Sequence, residues 1–586
     1  MTSGRNGVAT SRYHGIEELP EIRVEMGSHS QSWLSTITVA LSNFSIQWNF
    51  GSIAIALLMM SSEVCTMPQE QDCREGKQAS WVVTVSSSVV FVGAVIGQLV
   101  MGRLGDLIGR SKALLVTTGI ATVSSAMQAI APAGSPKAIY IVIILFRFFL
   151  GIGIGGVYPL SATKAVEDSG GTDGDAVSLS NRKAVAAGKG FFWQMPGMMG
   201  PYLLSYMFTF SSMSVNTKWR LELGFGAIPS GLAMICLALE MRKDKAQKGV
   251  TENVAGAASV GDGQSSHTLL IDSIPAASSS SVGDEDSPLH MPTTSSFPSP
   301  PLSPSATATA TAATKGGPVQ PSNLSVADIF SLIASDSSIR RRLYGTGVCW
   351  FLFDVVVYGI GLISPLIIAN IIHDTGDITS DESIRSLSRL SLGTMALSIP
   401  GTLMTIWIIP YKGVKWIQVV GFAVMALSTL CMGVLFSPLR NDVDGLFAVY
   451  CVLSLTTSIG VGISTYVLPA LLFERKIRST FNGMCAAMGK VGAFVGSMTF
   501  SAIARSANNG TTVVMILCFL VSTAACFLSQ RYVVIQQHAS EIGAGITEVV
   551  DPEKANENDP ASSPPQRHAG SEVEVTNIIH EKQNSL

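Results

Sequence analysis

Apolar residues along this chain come in long runs that are separated by shorter polar stretches. A helix needs roughly 20 residues to cross about 30 Å of hydrocarbon, and about twelve runs approach or exceed that length. They are residues 33–60, 79–101, 113–132, 138–162, 184–210, 220–240, 343–371, 386–409, 416–436, 445–473, 481–503 and 512–532. The pattern therefore predicts an all-α membrane protein with about twelve transmembrane helices.

One long polar segment separates the sixth run from the seventh. It is rich in Ser, Thr, Pro and Ala and nearly lacks aromatic residues, so it cannot bury enough apolar surface to offset its chain entropy. We predict a disordered linker here and a disordered tail at the end of the chain. The predicted organisation is an N-terminal segment 1–32, a six-helix bundle 33–240, the linker 241–340, a second six-helix bundle 341–532, and the tail 533–586.

Basic residues concentrate in alternate connections between the runs. These connections hold Arg103, Arg110, Lys112, Arg182, Lys183, Arg340, Arg341, Arg342, Lys412, Lys415, Arg475, Lys476 and Arg478. By the positive-inside rule, both termini and the linker are predicted to be cytoplasmic. Two six-helix repeats around a central site are typical of transporters, and without a recognisable organellar address the plasma membrane is the expected location.

Composition supports this class and argues against others. Only 13% of the 586 residues are charged and the net charge is −3, whereas soluble proteins carry about 25% charged residues. We therefore expect the lipid bilayer as a partner and no nucleic acid. No hydrolase motif, metal-ligand cluster or phosphate-gripping glycine loop is evident, so we expect no enzyme activity, metal or cofactor. Cys65 and Cys73 lie in the polar loop after the first run, where either a disulfide or two free thiols would fit.

The loop after the second run reads GRLGDLIGRSK over residues 102–112. Gly102 and Gly109 allow a tight turn, and Asp106 together with Arg103 and Arg110 is predicted to form a charge cluster that clamps helix ends. The spacing resembles the loop signature of the major facilitator superfamily, which implies a gating role. The alternative is a loop that is merely basic.

Two positions carry charge inside apolar runs. Trp350, Asp354 and Tyr358 recur every four residues, so their side chains share one helix face. A lone carboxyl in an apolar stretch is costly and usually functional, although pairing with a neighbouring helix is the other interpretation. Lys490 would attract an anion or pair with a carboxylate, unless it snorkels to the interface.

Two strings resemble the phosphate:proton symporter family. Residues 155–163 read GGVYPLSAT, with Glu167 following, and residues 478–493 read RSTFNGMCAAMGKVGA. The glycines also suit close helix packing, and Gln194 alone would be explained as a contact between helices. The resemblance implies a central phosphate site, with the proton handled at Asp354. The implied substrate-binding residues are Tyr158, Gln194, Trp350, Asp354, Tyr358 and Lys490.

The chain departs from this family at several positions that carry chemistry. Asn49 and Val157 stand where the relatives have acids, and Gly462 stands where they have an Asn. Because Asn and Val cannot titrate, we expect Asp354 to be the single carboxylate that couples transport to protons.

The leading functional hypothesis is import of inorganic phosphate or a related oxyanion, with protons, by alternating access. One alternative is a major facilitator carrier for an organic phosphate, an organic anion or a sugar, since Val157 and Gly462 would dry or enlarge the site. The other alternative is a nutrient receptor that transports poorly and signals through its linker and tail.

Overall fold

A computed structural model describes most of the helical part of the chain. The described residues are 33–64, 79–131, 134–170, 176–260, 324–371, 380–439, 442–506 and 509–533. Cys65 and Cys73, residues 1–32, residues 261–323 and almost all of the predicted tail lie outside these ranges, so the predictions made for them stay predictions.

The described residues of the first half, up to residue 260, include eight helices. They are α1 Trp33–Glu63, α2 Ser80–Ile108, α3 Arg110–Ala129, α4 Pro136–Asp168, α5 Ala176–Phe192, α6 Gln194–Phe208, α7 Val215–Gly224 and α8 Ala227–Val260. The fifth predicted run is interrupted at Trp193, between α5 and α6, and the sixth is divided between α7 and α8. Each pair continues one predicted span.

The second half begins with two short helices and continues with longer ones. They are α9 Val326–Ser335, α10 Ser337–Leu343, α11 Cys349–Ile371, α12 Asp381–Ala396, α13 Ser398–Phe436, α14 Val443–Thr457, α15 Val461–Leu472, α16 Arg478–Ser506 and α17 Gly510–Tyr532, with a π-helical segment Tyr344–Val348 before α11. Within α13, Gly413 has φ 75° and turns the chain between the eighth and ninth predicted spans. Gly460 has φ 86° and separates α14 from α15.

Each predicted run overlaps one helix or two consecutive helices, and the described ranges contain no strand. By length and composition alone, eight stretches of the described part are long and apolar enough to cross a membrane. One of them, Asp381–Phe436, holds two of the predicted spans. The all-α, multi-pass architecture predicted from the apolar runs is therefore confirmed.

The predicted linker differs from the structure at both ends. Helix α8 continues to Val260, and α9 and α10 lie before the seventh span, so these parts of residues 241–340 are helical. Ser325 caps α9 in a reciprocal capping box with Asp328, and Ile329 is buried. The hydrogen bond from the Ser325 backbone N–H holds the pKa of the Asp328 carboxyl below its ordinary value. Composition averaged over the segment concealed this local signal.

Small residues let helices of the first half pack closely. A Cβ added to Gly155 of α4 would lie 2.5 Å from the Ala94 carbonyl oxygen of α2, so no larger residue fits there. The two halves meet where α2 packs against α16, α5 against α13 and α6 against α12. The buried polar side chains described next lie between the halves.

Candidate functional site

A buried ion pair lies between α11 and α16. Lys490 Nζ is 2.9 Å from Asp354 Oδ2 and donates to the Tyr358 hydroxyl, also at 2.9 Å. Both charged side chains are only 2% exposed. Because removing one partner of such a pair leaves an uncompensated buried charge, each side chain fixes the position of the other. Lys490 therefore does not snorkel to an interface, and the carboxyl has a partner on a neighbouring helix.

Aromatic rings from both halves surround the ammonium group of Lys490. Its Nζ lies 4.4 Å from the ring centroid of Tyr358, 5.0 Å from that of Tyr158 and 5.4 Å from that of Phe50. These distances suit cation–π attraction. Tyr158 and Phe50 belong to the first half, so the cation of the second half sits against rings of the first.

The first half contributes a chain of neutral polar side chains next to this pair. Gln47 Nε2 donates to Gln194 Oε1 at 2.9 Å and to the Tyr158 hydroxyl at 3.4 Å. Gln194 Nε2 donates to Asn43 Oδ1 at 2.8 Å, and Asn43 Nδ2 donates to the Tyr466 hydroxyl at 3.3 Å. The network therefore crosses from α1, α4 and α6 to α15 without using a charged group.

The structure brings all six predicted site residues into this cluster. The Trp350 ring lies 6.2 Å from the Tyr158 ring, and Trp350 lies one helical turn before Asp354 on α11. Sequence reasoning missed Asn43, Gln47, Phe50 and Tyr466, which complete it. The signal for two of them was available, because Asn43 and Gln47 are four residues apart in an apolar helix and so share a face.

The residues that depart from the family pattern lie at the margin of this cluster. Asn49 Nδ2 donates to the backbone oxygens of Ser45 and Gly226, within the first half. Val157 is buried. A Cβ added at Gly462 would lie 3.2 Å from the Phe191 ring, so this position is bordered by an aromatic side chain.

A hydrogen-bonded clasp closes the face at which Glu240 of α8 and Asp328 of α9 lie, which we call the linker face. Asp106 accepts hydrogen bonds from the backbone N–H groups of Ser479 and Thr480, at 3.2 and 2.7 Å, and from the Thr480 hydroxyl at 2.7 Å. These donors form the first turn of α16, where a carboxylate is favoured by the helix dipole. This linker-face clasp joins the two halves.

Ion pairs extend the linker-face clasp. Arg110 lies 3.1 Å from both Asp106 and Glu167, and Arg478 of the second half lies 3.1 Å from Glu167. The predicted cluster also included Arg103, but within the described residues Arg103 forms no ion pair with Asp106. The positive charge of Arg103 instead favours the ionised form of Asp328 on α9.

Two glycines of the same loop, Gly109 and Gly102, are each favoured at their position for a different structural reason. Gly109 has φ 95° and separates α2 from α3, a conformation that glycine adopts without strain. Gly102 packs against the start of α16, where an added Cβ would lie 2.6 Å from the Ser479 carbonyl oxygen. The loop is thus shaped to contact the other half.

A second clasp joins the halves on the opposite face, which we call the far face. Lys218 Nζ of α7 lies 2.9 and 3.1 Å from the two carboxylate oxygens of Asp381 on α12. Arg385 donates to the Thr209 hydroxyl at 3.1 Å and stacks over the Phe210 ring at 4.6 Å. With both faces closed, the central cluster is enclosed between the two halves.

The described ranges hold no group of three or more His, Cys, Asp or Glu side chains that could bind a metal ion. The central cluster holds one ammonium group, one carboxyl, three phenols and several amides, which are linked by hydrogen bonds and ring contacts. Ammonium, phenol and amide groups can in general donate to an anion, and a carboxyl can exchange a proton.

Comparisons with known proteins agree with this architecture. The family model described as "Sugar (and other) transporter" matches residues 35–240 and 314–532. The structure of the major facilitator proton:xylose symporter XylE aligns with a TM-score of 0.58 at 14% identity, covering 86% of this chain and 96% of that one. This likeness concerns the fold.

The sequence is also similar to curated transporters. It is 28% identical over 501 residues to inorganic phosphate transporter PT2 of Toxoplasma gondii, covering 85% of this chain and 72% of the relative. It is 27% identical over 452 residues to probable inorganic phosphate transporter 1-6 of Arabidopsis thaliana, covering 73% and 77%. The chain shares the fold of the major facilitator symporter XylE, and because the family model matches both halves, it belongs to the sugar (and other) transporter family.

Proposed function

We propose that this protein imports inorganic phosphate, or a closely related oxyanion, together with protons by alternating access. The observation that carries the proposal is the buried Lys490–Asp354 pair, which faces neutral donors of the other half. The relatives named as inorganic phosphate transporters support the choice of substrate. The substrate site would comprise Tyr158, Gln194, Trp350, Asp354, Tyr358 and Lys490.

The charge balance of the buried cluster explains why an anion and a proton would be transported together. Without substrate, the charges of Lys490 and Asp354 cancel. A singly charged oxyanion that binds Lys490 leaves the carboxylate of Asp354 without its cation, which is costly away from water. One proton on Asp354 restores neutrality, and the neutral carboxyl can then donate a hydrogen bond to the anion. One anion and one proton would therefore enter together.

Neutral groups of the first half would complete the binding of the anion. Gln194 and Gln47 carry amide donors, and Tyr158 carries a phenol, beside the Lys490 ammonium. Neutral donors cost less to desolvate than charged ones. The anion would thus contact both halves, and its binding would favour their closure around it.

The two clasps would open in turn. Breaking the Lys218–Asp381 pair would admit substrate from the far face, and releasing Asp106 from the start of α16 would release it to the linker face. The basic residues of the linker face favour a cytoplasmic position for it. Both termini would then be cytoplasmic, and we propose the plasma membrane as the location.

Uptake of radiolabelled phosphate into liposomes that contain the purified protein tests this proposal. We expect uptake to rise when the outside is made acidic and to collapse when a protonophore removes the proton gradient. Competition by arsenate, but not by sugars or organic phosphate esters, would identify the substrate class. Well-incorporated protein that takes up no phosphate at any pH would overturn the proposal.

A further inference from the structure

A carboxyl group outside the central cluster is buried without a cation. Glu222 of α7 is fully buried, and its Oε2 accepts a hydrogen bond from the Ser205 hydroxyl of α6 at 2.9 Å. Its other oxygen has no hydrogen-bond partner, and within the described residues no Lys, Arg or His lies within ion-pair distance. An isolated carboxylate is expensive to hold away from water, so this arrangement suits a carboxyl that carries its proton.

Glu222 and Ser205 lie one helical turn inward from the far-face clasp. Lys218 precedes Glu222 by four residues on α7, and Thr209 follows Ser205 by four residues on α6. Both are clasp residues, because Lys218 pairs with Asp381 and Thr209 accepts hydrogen bonds from Arg385. The Glu222–Ser205 hydrogen bond thus ties together the two helices that hold the clasp.

The four-residue spacing makes Glu222 a competitor for Lys218. Residues four apart on a helix are neighbours, and a Lys and a Glu so placed attract each other when both are charged. Lys218 is 5% exposed at its side chain, whereas its present partner Asp381 is 50% exposed. An ionised Glu222 would therefore draw the ammonium group inward, away from the other half.

We propose that Glu222 is a second proton-binding site, whose protonation holds the far-face clasp closed and whose ionisation releases Lys218 from Asp381. Opening of the far face also admits water, which solvates the new carboxylate. The inference rests on the proposed function only in that the protein must alternate between two states; it does not require phosphate as the substrate. Protonation of Glu222 from the far side would close the clasp behind a substrate that has already entered, so Glu222 would control the far face while Asp354 remains the carboxylate that couples transport to protons.

Other ionisable groups around Glu222 are already engaged or neutral. Tyr202 of α6 interacts electrostatically with Glu222 and with Tyr450 of α14. Arg220 donates to the backbone oxygens of Ala129 and Ala131, and its charge is also felt by Glu63 of α1. Helix α3 presents no charged residue at this end, where Ser125 donates to the Leu223 oxygen. On the facing helix, Asp381 and Arg385 are the clasp residues themselves.

The distance between the halves at the far face tests the proposal without any substrate. Spin labels introduced as noncanonical amino acids at Ser212 and Glu382, two exposed positions outside the clasp contacts, would report it in the full chain held in lipid nanodiscs. In the wild type we expect a short distance at pH 5 and a longer-distance population that grows toward pH 8. A switch set by one proton changes this ratio by up to about tenfold per pH unit.

Matched variants separate this site from general effects of pH. Glu222→Gln, which mimics the protonated form, should keep the short distance across the whole range. Glu63→Gln removes an exposed carboxyl of the same half and should follow the wild type. A wild-type distance that ignores pH, or a Glu222→Gln protein that still opens with rising pH, would overturn the proposal.

A milder change keeps the test available if Glu222→Gln does not reach the membrane. Ser205→Ala removes the donor that stabilises the ionised carboxylate, so the pH midpoint of opening should move upward. An unchanged midpoint in Ser205→Ala would contradict the proposal. Absence of phosphate uptake would leave this distance measurement unaffected, so failure of the proposed function and failure of this inference are distinguishable.

Discussion

The two halves contribute different chemistry to the central cluster. The second half supplies a buried ion pair, Lys490 with Asp354, and the first half supplies amides and a phenol in a neutral network. A charge that must be compensated in a buried site is sensitive both to pH and to an arriving anion, whereas amides can donate to an anion but do not titrate. Under the proposed function, the affinity for the anion would be shared between the halves, while proton coupling at the centre would depend on the second half.

Removing the Asp354 carboxyl should have the largest effect on this division of roles between the two halves. Asp354→Asn leaves Lys490 as an unpaired buried cation, which costs about 3–5 kcal/mol, and eliminates the proton acceptor. We expect phosphate uptake into liposomes to fall by at least about a hundredfold, together with its dependence on pH. Asp354→Glu is the control and should keep a measurable, pH-dependent rate. Uptake by Asp354→Asn that still rises with acidity would contradict single-carboxylate coupling.

Removing the Lys490 ammonium group should have a smaller effect than removing the Asp354 carboxyl, and the effect should appear in phosphate binding. Lys490→Gln deletes a charge-assisted contact with the anion worth about 1.5–3 kcal/mol, so KM for phosphate should rise about ten- to hundredfold. Uptake measured over a range of phosphate concentrations checks this. The double variant with Asp354→Asn leaves no unpaired charge, so it should accumulate in the membrane better than Asp354→Asn. Wild-type KM in Lys490→Gln would exclude a role in binding.

A substitution in the neutral network of the first half should change the affinity for phosphate but not the dependence of uptake on pH. Gln194→Ala removes one amide donor to the anion under the proposed function, worth about 0.5–1.5 kcal/mol, together with the hydrogen bonds to Gln47 and Asn43. We expect KM to rise about three- to tenfold. The ratio of uptake at pH 5 to uptake at pH 7 should equal that of the wild type. A changed ratio would show that the first half takes part in proton coupling after all.

The smallest effect on KM is expected at the linker-face clasp, because it lies outside the proposed substrate site. Asp106→Asn weakens the contact with the first turn of α16 and the pair with Arg110 by about 1 kcal/mol. The population open to the linker face should increase several-fold, as measured by the reactivity of an introduced cysteine, with KM changed little. Thr480→Val removes only the hydroxyl donor and should have a weaker effect in the same direction. A large rise in KM would mean that the clasp and the site are not separable.

Much of the fold followed from the sequence because crossing hydrocarbon imposes a minimum length on each apolar run. The face shared by Trp350, Asp354 and Tyr358 followed from helical spacing alone. The breaks near Trp193 and Gly460 did not, because single turns inside an apolar run leave its composition unchanged.

Contacts between the halves could not be read from spacing. Lys218 and Asp381 are separated by 163 positions, and each lies at a helix end, where a charged residue ordinarily needs no explanation. Glu222 was missed for the same reason, since the sixth apolar run was expected to begin at residue 220. Its burial comes from the tertiary packing of α7 against α1, α3 and α6.

Helix α16 carries both Lys490 and the donors that hold Asp106. Ten residues separate Thr480 from Lys490, which is about 15 Å along a helix. A helix of that length is stiff and acts as a lever. Under the proposed function, a shift of Lys490 on anion binding would therefore displace the first turn of α16, where it contacts Asp106. Substitutions at the two points should consequently show coupled, non-additive energies even though the residues never touch.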